Sequence, residues 1–152
     1  MSFFSALRTS ASGLTAQRLR MDLISNNIAN AETTRTDAGG AYRRQVALFS
    51  PKSEDNVSYF DRLRGRAGPG QADGPRLEGV QTVQIADDQA PMRMVYDPSH
   101  PDANKDGYVE YPNVNPITEM TDMLSATRSY EANVTVLNAA KAMAQRALDI
   151  GR

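Results

Sequence analysis

All eight prolines of this chain fall between Pro51 and Pro116, and that distribution constrains the fold more than any other feature. A proline inside a helix costs about 3 kcal/mol. Its confinement to the centre therefore permits long helices at both ends and none through the middle. Glycine follows the same plan. Before Pro51 only Gly13, Gly39 and Gly40 occur, and after Pro116 only Gly151.

The first proline-free segment runs from about Phe3 to Asn30. Phe3, Leu7, Ser10, Leu14, Gln17, Met21, Ile24 and Ile28 alternate by four and three, a heptad stripe interrupted by polar residues at Ser10 and Gln17. Ser2 is a suitable N-cap. Asn26, Asn27 and Asn30 weaken helix propensity and mark the end. Such a helix is roughly 40 Å long. The last segment opens on Asn115 as N-cap and Pro116 at the first helical position, and Gly151 is placed to stop it. Its stripe is Met120, Met123, Thr127, Tyr130, Val134, Leu137, Lys141, Ala144 and Leu148. Each stripe is too narrow to be buried alone, so the economical solution pairs the helices with each other and with neighbouring chains.

The middle reads as short strands over Tyr42–Phe49, Leu77–Ile85, Met92–Tyr96 and Gly107–Tyr111. Between the first two lies a Gly- and Pro-rich stretch, about 50–76, which reads as a long loop. The expected fold is thus mainly α with a small β insertion. The N- and C-terminal helices pair as a coiled coil, and the middle forms a short β-hairpin or meander with a long loop. The divisions are 1–31 for the first helix, 32–114 for the middle domain and 115–152 for the second helix. So small a shared core leaves little margin over chain entropy, and an isolated monomer is expected to be only partly folded.

Seventeen basic and eighteen acidic residues give a net charge of −1, which favours neither nucleic acid nor anionic lipid as partner. Cysteine is absent and His100 is the one histidine, so thiolate and zinc sites are not expected. No apolar run approaches the roughly 18 residues needed for membrane insertion, and the N-terminus lacks the continuous apolar core of a secretory signal. The strongest local motif is Asp102-Ala-Asn104-Lys-Asp106-Gly107-Tyr-Val109, which follows the start of a calcium-binding EF-hand loop. Asn113 stands where the bidentate Glu belongs, and Pro98, Pro101, Pro112 and Pro116 replace the flanking helices. An Asx-rich turn entering a strand is the competing reading. The run Arg62-Leu-Arg64-Gly-Arg66 lacks interleaved aromatics and reads as solvated loop. No nucleophile elbow or zinc-protease motif is present, and no enzymatic activity or cofactor is expected.

Both ends resemble the bacterial flagellar axial proteins, which include rod, hook and hook-associated subunits. The N-terminal strings are Ser12-Gly13-Leu14-Thr-Ala16-Gln17, Arg20-Met21-Asp22 and Ile24-Ser25-Asn26-Asn27-Ile28-Ala29-Asn30-Ala31. The C-terminal strings are Asn113-Val114-Asn115-Pro116, Glu119-Met120, Asp122-Met123 and Arg128-Ser129-Tyr130-Glu131-Ala132-Asn133. Thr33-Thr34-Arg35-Thr36, Gly39-Gly40, Tyr42-Arg43-Arg44, His100-Pro101-Asp102-Ala103 and the short length look like the proximal rod branch of that family. The resemblance implies a structural subunit of the basal-body rod, exported without a cleaved signal peptide and polymerised through its terminal helices into a torque-transmitting tube around the export channel. Implied partners are copies of itself, other rod proteins, the rod–ring junction protein, the inner-membrane ring and the flagellar export apparatus. The location implied is the periplasm-spanning rod.

The residues expected to carry helix pairing and subunit assembly are Leu7, Leu14, Met21, Ile24, Asn27, Ile28, Asn30, Met120, Met123, Tyr130, Asn133, Val134, Leu137 and Leu148. Asparagines, Arg128, Tyr130 and Glu131 on the helix surfaces are expected to fix register through hydrogen bonds, a role buried polar groups play in coiled coils.

Overall fold

The computed structural model describes residues 3–37, 39–53 and 77–150. Helix α1 (Phe3–Ala29) is followed by strands β1 (Gln45–Ser53), β2 (Leu77–Asp87), β3 (Arg93–Tyr96) and β4 (Tyr108–Tyr111), and then by helix α2 (Pro116–Ile150). The chain is mainly helical with a small β part. The helices span roughly 40 and 50 Å at 1.5 Å per residue. At the start of α2, Ile117 N donates to Asn115 Oδ1 at 3.1 Å, so Asn115 is the N-cap and Pro116 occupies the first position, which needs no N–H. Ser2, Gly151 and 54–76 lie outside the described residues.

The strands form two separate antiparallel pairs, β1 with β2 and β3 with β4. Gln45 faces Asp87 and Pro51 faces Val80 in the first; Arg93 faces Tyr111 and Tyr96 faces Tyr108 in the second. All four expected strands are present, with one displaced. β1 begins at Gln45 rather than Tyr42 and extends to Ser53, into the stretch expected to be loop. Tyr42 N donates to the Thr33 carbonyl at 3.1 Å and Arg44 N to Asn113 Oδ1 at 2.9 Å, so neither N–H is free for the ladder. Irregularities in the register fall between Leu48 and Phe49 and between Pro51 and Ser53. Pro51, which has no N–H to donate, stands beside the second irregularity.

α1 and α2 run antiparallel along each other. Gly13 lies against Asn133, Arg20 against Asp122, and Asn27 against Glu119. The β1–β2 pair rests on α1. Val80 N donates to Ser12 Oγ at 3.0 Å. Gly79 holds φ at +106°, and a Cβ there would collide with Ser12 Oγ. Only glycine satisfies both the left-handed backbone and the close approach.

Among the described residues the buried apolar side chains are few and small: Ala16, Leu23, Ile24, Val109, Ala126 and Ala140, with Pro112. Ala16, Ala126 and Ala140 let the helix backbones come close. Val109 in β4 and Pro112 just after it are both fully buried.

Candidate functional site

The largest fully buried side chain among the described residues is a carboxylate, Glu119, at 1% exposure. Asn27 is equally buried. They meet where α1 ends, α2 begins and the middle segment crosses between them. Asn27 Nδ2 donates to Glu119 Oε2 at 3.1 Å and to the Gln45 carbonyl at 3.0 Å. Its Oδ1 accepts from Tyr42 Oη at 3.0 Å and from Gln45 N at 2.9 Å. The amide thus spends both donors and both lone pairs inside the protein. The other Glu119 oxygen, Oε1, accepts from Arg44 Nε at 2.7 Å.

Arg44 binds the middle segment into the same cluster. Its guanidinium lies 3.5 Å from Asp88 and 3.6 Å from Asp122. Its backbone N donates to Asn113 Oδ1 at 2.9 Å, and its carbonyl accepts from Asp88 N at 2.8 Å. Asn113 Nδ2 in turn donates to the carbonyls of Asp88 and Ala90. Burial acts to lower the Arg44 pKa, but the hydrogen bond and charge of Glu119, with Asp88 behind them, more than offset it and hold the pKa above its ordinary value. The Tyr42 hydroxyl is pushed up, first by burial and then by the charges of Asp87 and Glu119. A buried carboxylate is costly unless it is paired and hydrogen-bonded. Here both of its oxygens are occupied.

The helix seam follows from the same contacts. In α2 it runs through Glu119, Met123, Ala126, Tyr130, Asn133, Leu137 and Ala140, spaced four and three. In α1 it runs through Ser10, Gly13, Ala16, Arg20, Leu23 with Ile24, and Asn27. Of the residues expected on pattern, Ile24 and Asn27 are buried. Leu7, Leu14, Met21, Ile28, Asn30, Met123, Tyr130, Asn133, Val134 and Leu137 are half-buried. Met120 and Leu148 are exposed, at 56% and 74%. One residue along a helix is a rotation of about 100°, so Met120 points away from α1 while Glu119 points at it. Leu148 faces the seam direction but lies beyond the N-terminus of the antiparallel α1. Asn30 closes the end of α1, its Nδ2 donating to the Asn26 carbonyl at 2.9 Å. Thr127 touches Met21, Oγ1 to Sδ at 3.6 Å.

Three contributors escaped the pattern. Glu119 and Arg44 are charged and read as surface, and Ala126 is too small to stand out. The one available signal was indirect, since Glu119 lies within the Glu119-Met120 string that carried the resemblance. Arg128 and Glu131, expected to set register, are exposed.

The EF-hand-like loop takes the turn geometry. Asn104 Oδ1 accepts from the backbone N of both Asp106 and Tyr108 at 2.9 Å. Asp102 Oδ2 accepts from Thr34 Oγ1 at 2.8 Å, and Asn113 is committed to Arg44. Gly107 sits at φ +81°, the conformation an L side chain adopts only with strain.

The start of the outward face of α2 carries exposed apolar side chains, before Arg128 and Glu131 continue that face. Ile117, Met120 and Leu124 form a row at spacings of three and four, roughly opposite the seam, and all three are exposed. Val136 and Met143 flank the seam further along and are also exposed. Leu48, Val83 and Ile85 are exposed on the β1–β2 pair. No helix among the described residues is long and apolar enough to cross a membrane.

Two family models match the chain. Residues 7–35 match the flagella basal body rod protein model, and residues 105–150 match the C-terminal model of the flagellar basal body rod FlgEFG proteins. The chain is 48% identical to the flagellar basal-body rod protein FlgC of Borreliella burgdorferi, over 99% of this chain and 98% of that one. It is 45% identical to FlgC of Bacillus subtilis and 34% identical to FlgC of Salmonella typhimurium, each over the full length of both chains. The matched regions hold α1 and α2, the helices that meet at Glu119.

Proposed function

This chain belongs to the FlgC family of flagellar basal-body rod proteins, and from that premise we propose that its terminal helices polymerise it into the tubular drive shaft of the flagellum. It is a structural subunit of the basal-body rod. In this reading α1 and α2 pair within the chain as a short antiparallel coiled coil. The outer face of α2 then packs against neighbouring subunits. The units are the two helices, 1–31 and 115–152, and the β-rich 32–114 that rides on them. The subunit passes through the export apparatus without a cleaved signal peptide and takes its place in the periplasm-spanning part of the rod. It surrounds the export channel there and transmits torque. Its partners are copies of itself, other rod proteins, the rod–ring junction protein and the inner-membrane ring. The repeating contact is heterologous, because a rotation that does not close generates a helix of subunits.

One observation carries this reading. Ile117, Met120 and Leu124 expose large apolar side chains in a row along the helix, and such rows in water-soluble chains mark surfaces that another molecule covers. Leu14, Met21, Ile28, Val134 and Leu137 hold the inner side of the same helices together.

Leu124→Glu tests it. The variant is expected to keep the helix content of the parent chain in solution and to leave cells that carry it as their only copy without rods and unable to swim. Swimming at the parental rate would overturn the assignment of this face.

A further inference from the structure

We infer that the register of the two terminal helices is set by the buried Asn27–Glu119–Arg44 junction rather than by their apolar seam, so that correct pairing depends on the middle segment being in place. The inference concerns contacts within one chain and does not rest on the rod reading.

The seam itself carries little positional information. Its most buried apolar members on α2 are Ala126 and Ala140, two of a series of equivalent positions seven residues apart. A slide of one heptad along α1 exchanges Ala126 for Asn133 or Glu119 and Tyr130 for Leu137 or Met123, so no regular alternation of large and small residues fixes the seam. Gly13, which now meets Asn133, would meet Ala126 or Ala140, both smaller than asparagine, so that close approach does not forbid the move. The Arg20–Asp122 ion pair would be lost, but it is part-exposed and pins a register only weakly. Coiled coils with uniform seams slip in this way unless a polar residue pins them.

The junction has no such tolerance. A one-heptad slide carries Asn27 from Glu119 to Ala126 or past the start of α2. The Glu119 carboxylate would then lose one hydrogen bond, and Asn27 a hydrogen-bonding partner, at two of the most buried polar side chains among the described residues. Every other contact of the pair belongs to the middle of the chain. Gln45 holds Asn27 through both its N–H and its carbonyl, Tyr42 adds a hydroxyl, and Arg44 holds Glu119. Arg44 is itself placed by Asp88 and Asn113, which lie on either side of the β3–β4 pair. The register is thus referenced to three separate stretches of the middle. A helix pair formed before they arrive leaves Glu119 without its cation.

The chain contains no cysteine, so introduced pairs report unambiguously. Met21→Cys with Thr127→Cys reads the native register, because those side chains touch. Met21→Cys with Val134→Cys, and Met21→Cys with Met120→Cys, read slides of one heptad in either direction. A short bifunctional thiol crosslinker is applied to the dilute full-length chain, and intrachain products are resolved by mass spectrometry after proteolysis. With the junction intact, the native pair should crosslink at least tenfold more than either slid pair. With Asn27→Leu, Arg44→Met and Glu119→Met combined, helix content should persist while the slid products rise at least fivefold. Retention of the native preference at full helicity would overturn the inference. If the triple variant loses its helices, Glu119→Gln with Arg44→Gln removes the charge pair at nearly constant volume, and the same ratio decides.

Discussion

Arg44 Nε donates to Glu119 Oε1 at 2.7 Å, the shortest of the contacts that tie the middle segment to the paired helices. The two residues are 75 positions apart, and the carboxylate is 1% exposed. This pair works beside the Asn27 hydrogen bonds to Tyr42 and Gln45 and the packing of the β1–β2 pair on α1. The apolar core among the described residues is made mainly of alanines and a few branched side chains, so polar contacts carry much of the attachment of the middle.

Removing the cation alone should be the most damaging change at this site. Arg44→Ala leaves Glu119 buried without its partner, which typically costs about 3 kcal/mol or more. For a chain of this length that is a fall in Tm of roughly 6–12 °C. Urea unfolding followed by circular dichroism measures it. The double variant Arg44→Met, Glu119→Met should recover at least half of the loss, because the desolvation penalty leaves with the charges.

Gly79 should resist even alanine. The left-handed backbone costs about 1–2 kcal/mol for a residue with a Cβ, and that Cβ meets Ser12 Oγ. Ser12→Ala alone forfeits one hydrogen bond, worth about 1 kcal/mol. The double variant should cost less than the sum of the singles, since the clash with Ser12 Oγ exists only when both side chains are present, while Ser12 Cβ and Thr9 Cα, 3.1 and 3.3 Å from the added Cβ, keep part of the cost. A double-mutant cycle by chemical denaturation gives the coupling.

Tyr42 predicts an alkaline limit. Its pKa is raised above the ordinary tyrosine value, burial being the largest cause and the charges of Asp87 and Glu119 following. The neutral phenol is therefore favoured in the folded chain. Its contribution is fully present below the unfolded pKa and is lost as pH rises through the higher folded value. Stability should fall from about pH 10 upward, and an ultraviolet titration compared with that of Tyr42→Phe should place Tyr42 above the ordinary tyrosine value. Tyr42→Phe should lower stability by about 1 kcal/mol at neutral pH and flatten the alkaline fall. An unchanged alkaline slope would contradict the assignment.

The two faces of α2 should separate in solution. Ala126 is 1% exposed, and Ala126→Asp places a charge against α1 at a cost of several kcal/mol. Helix content should drop in the monomer. Leu14→Asp and Val134→Asp, at half-buried positions, should lose helix to a smaller degree. Leu124→Glu, on the outer face, should lose none. Circular dichroism of the four variants at equal concentration ranks them.

The dilute chain should melt broadly. Among the described residues the buried apolar set consists of a few small or branched side chains and Pro112, and little burial means little margin over chain entropy. A shallow thermal transition is expected at micromolar concentration. A sharp, fully cooperative melt would show that the junction supplies more stability than the core suggests.

Much of the architecture was legible in the chain. Proline confinement, two heptad stripes and the Asn115-Pro116 start gave both helices, and alternation with glycine punctuation gave the strands. The start of β1 was misplaced by three residues, because Tyr42 to Arg44 look like strand and are instead spent on the junction. The stripes were found but read about one residue off at alternate positions. Met120 is exposed while Glu119 and Ala126, one residue before stripe positions, are buried; Thr127 and Val134 are half-buried, and Thr127 still touches Met21.

The amino-acid order by itself determined that both ends are helical and that each has a face in need of a partner, because proline cost and periodicity act locally. Which face turns inward was decided by the tertiary structure alone. A glutamate is buried only if an arginine from elsewhere in the chain reaches it, and an alanine lies in a seam only if the opposing backbone comes close. Those are properties of pairs, and Arg44 and Glu119 become a pair only when the middle segment folds back between the helices.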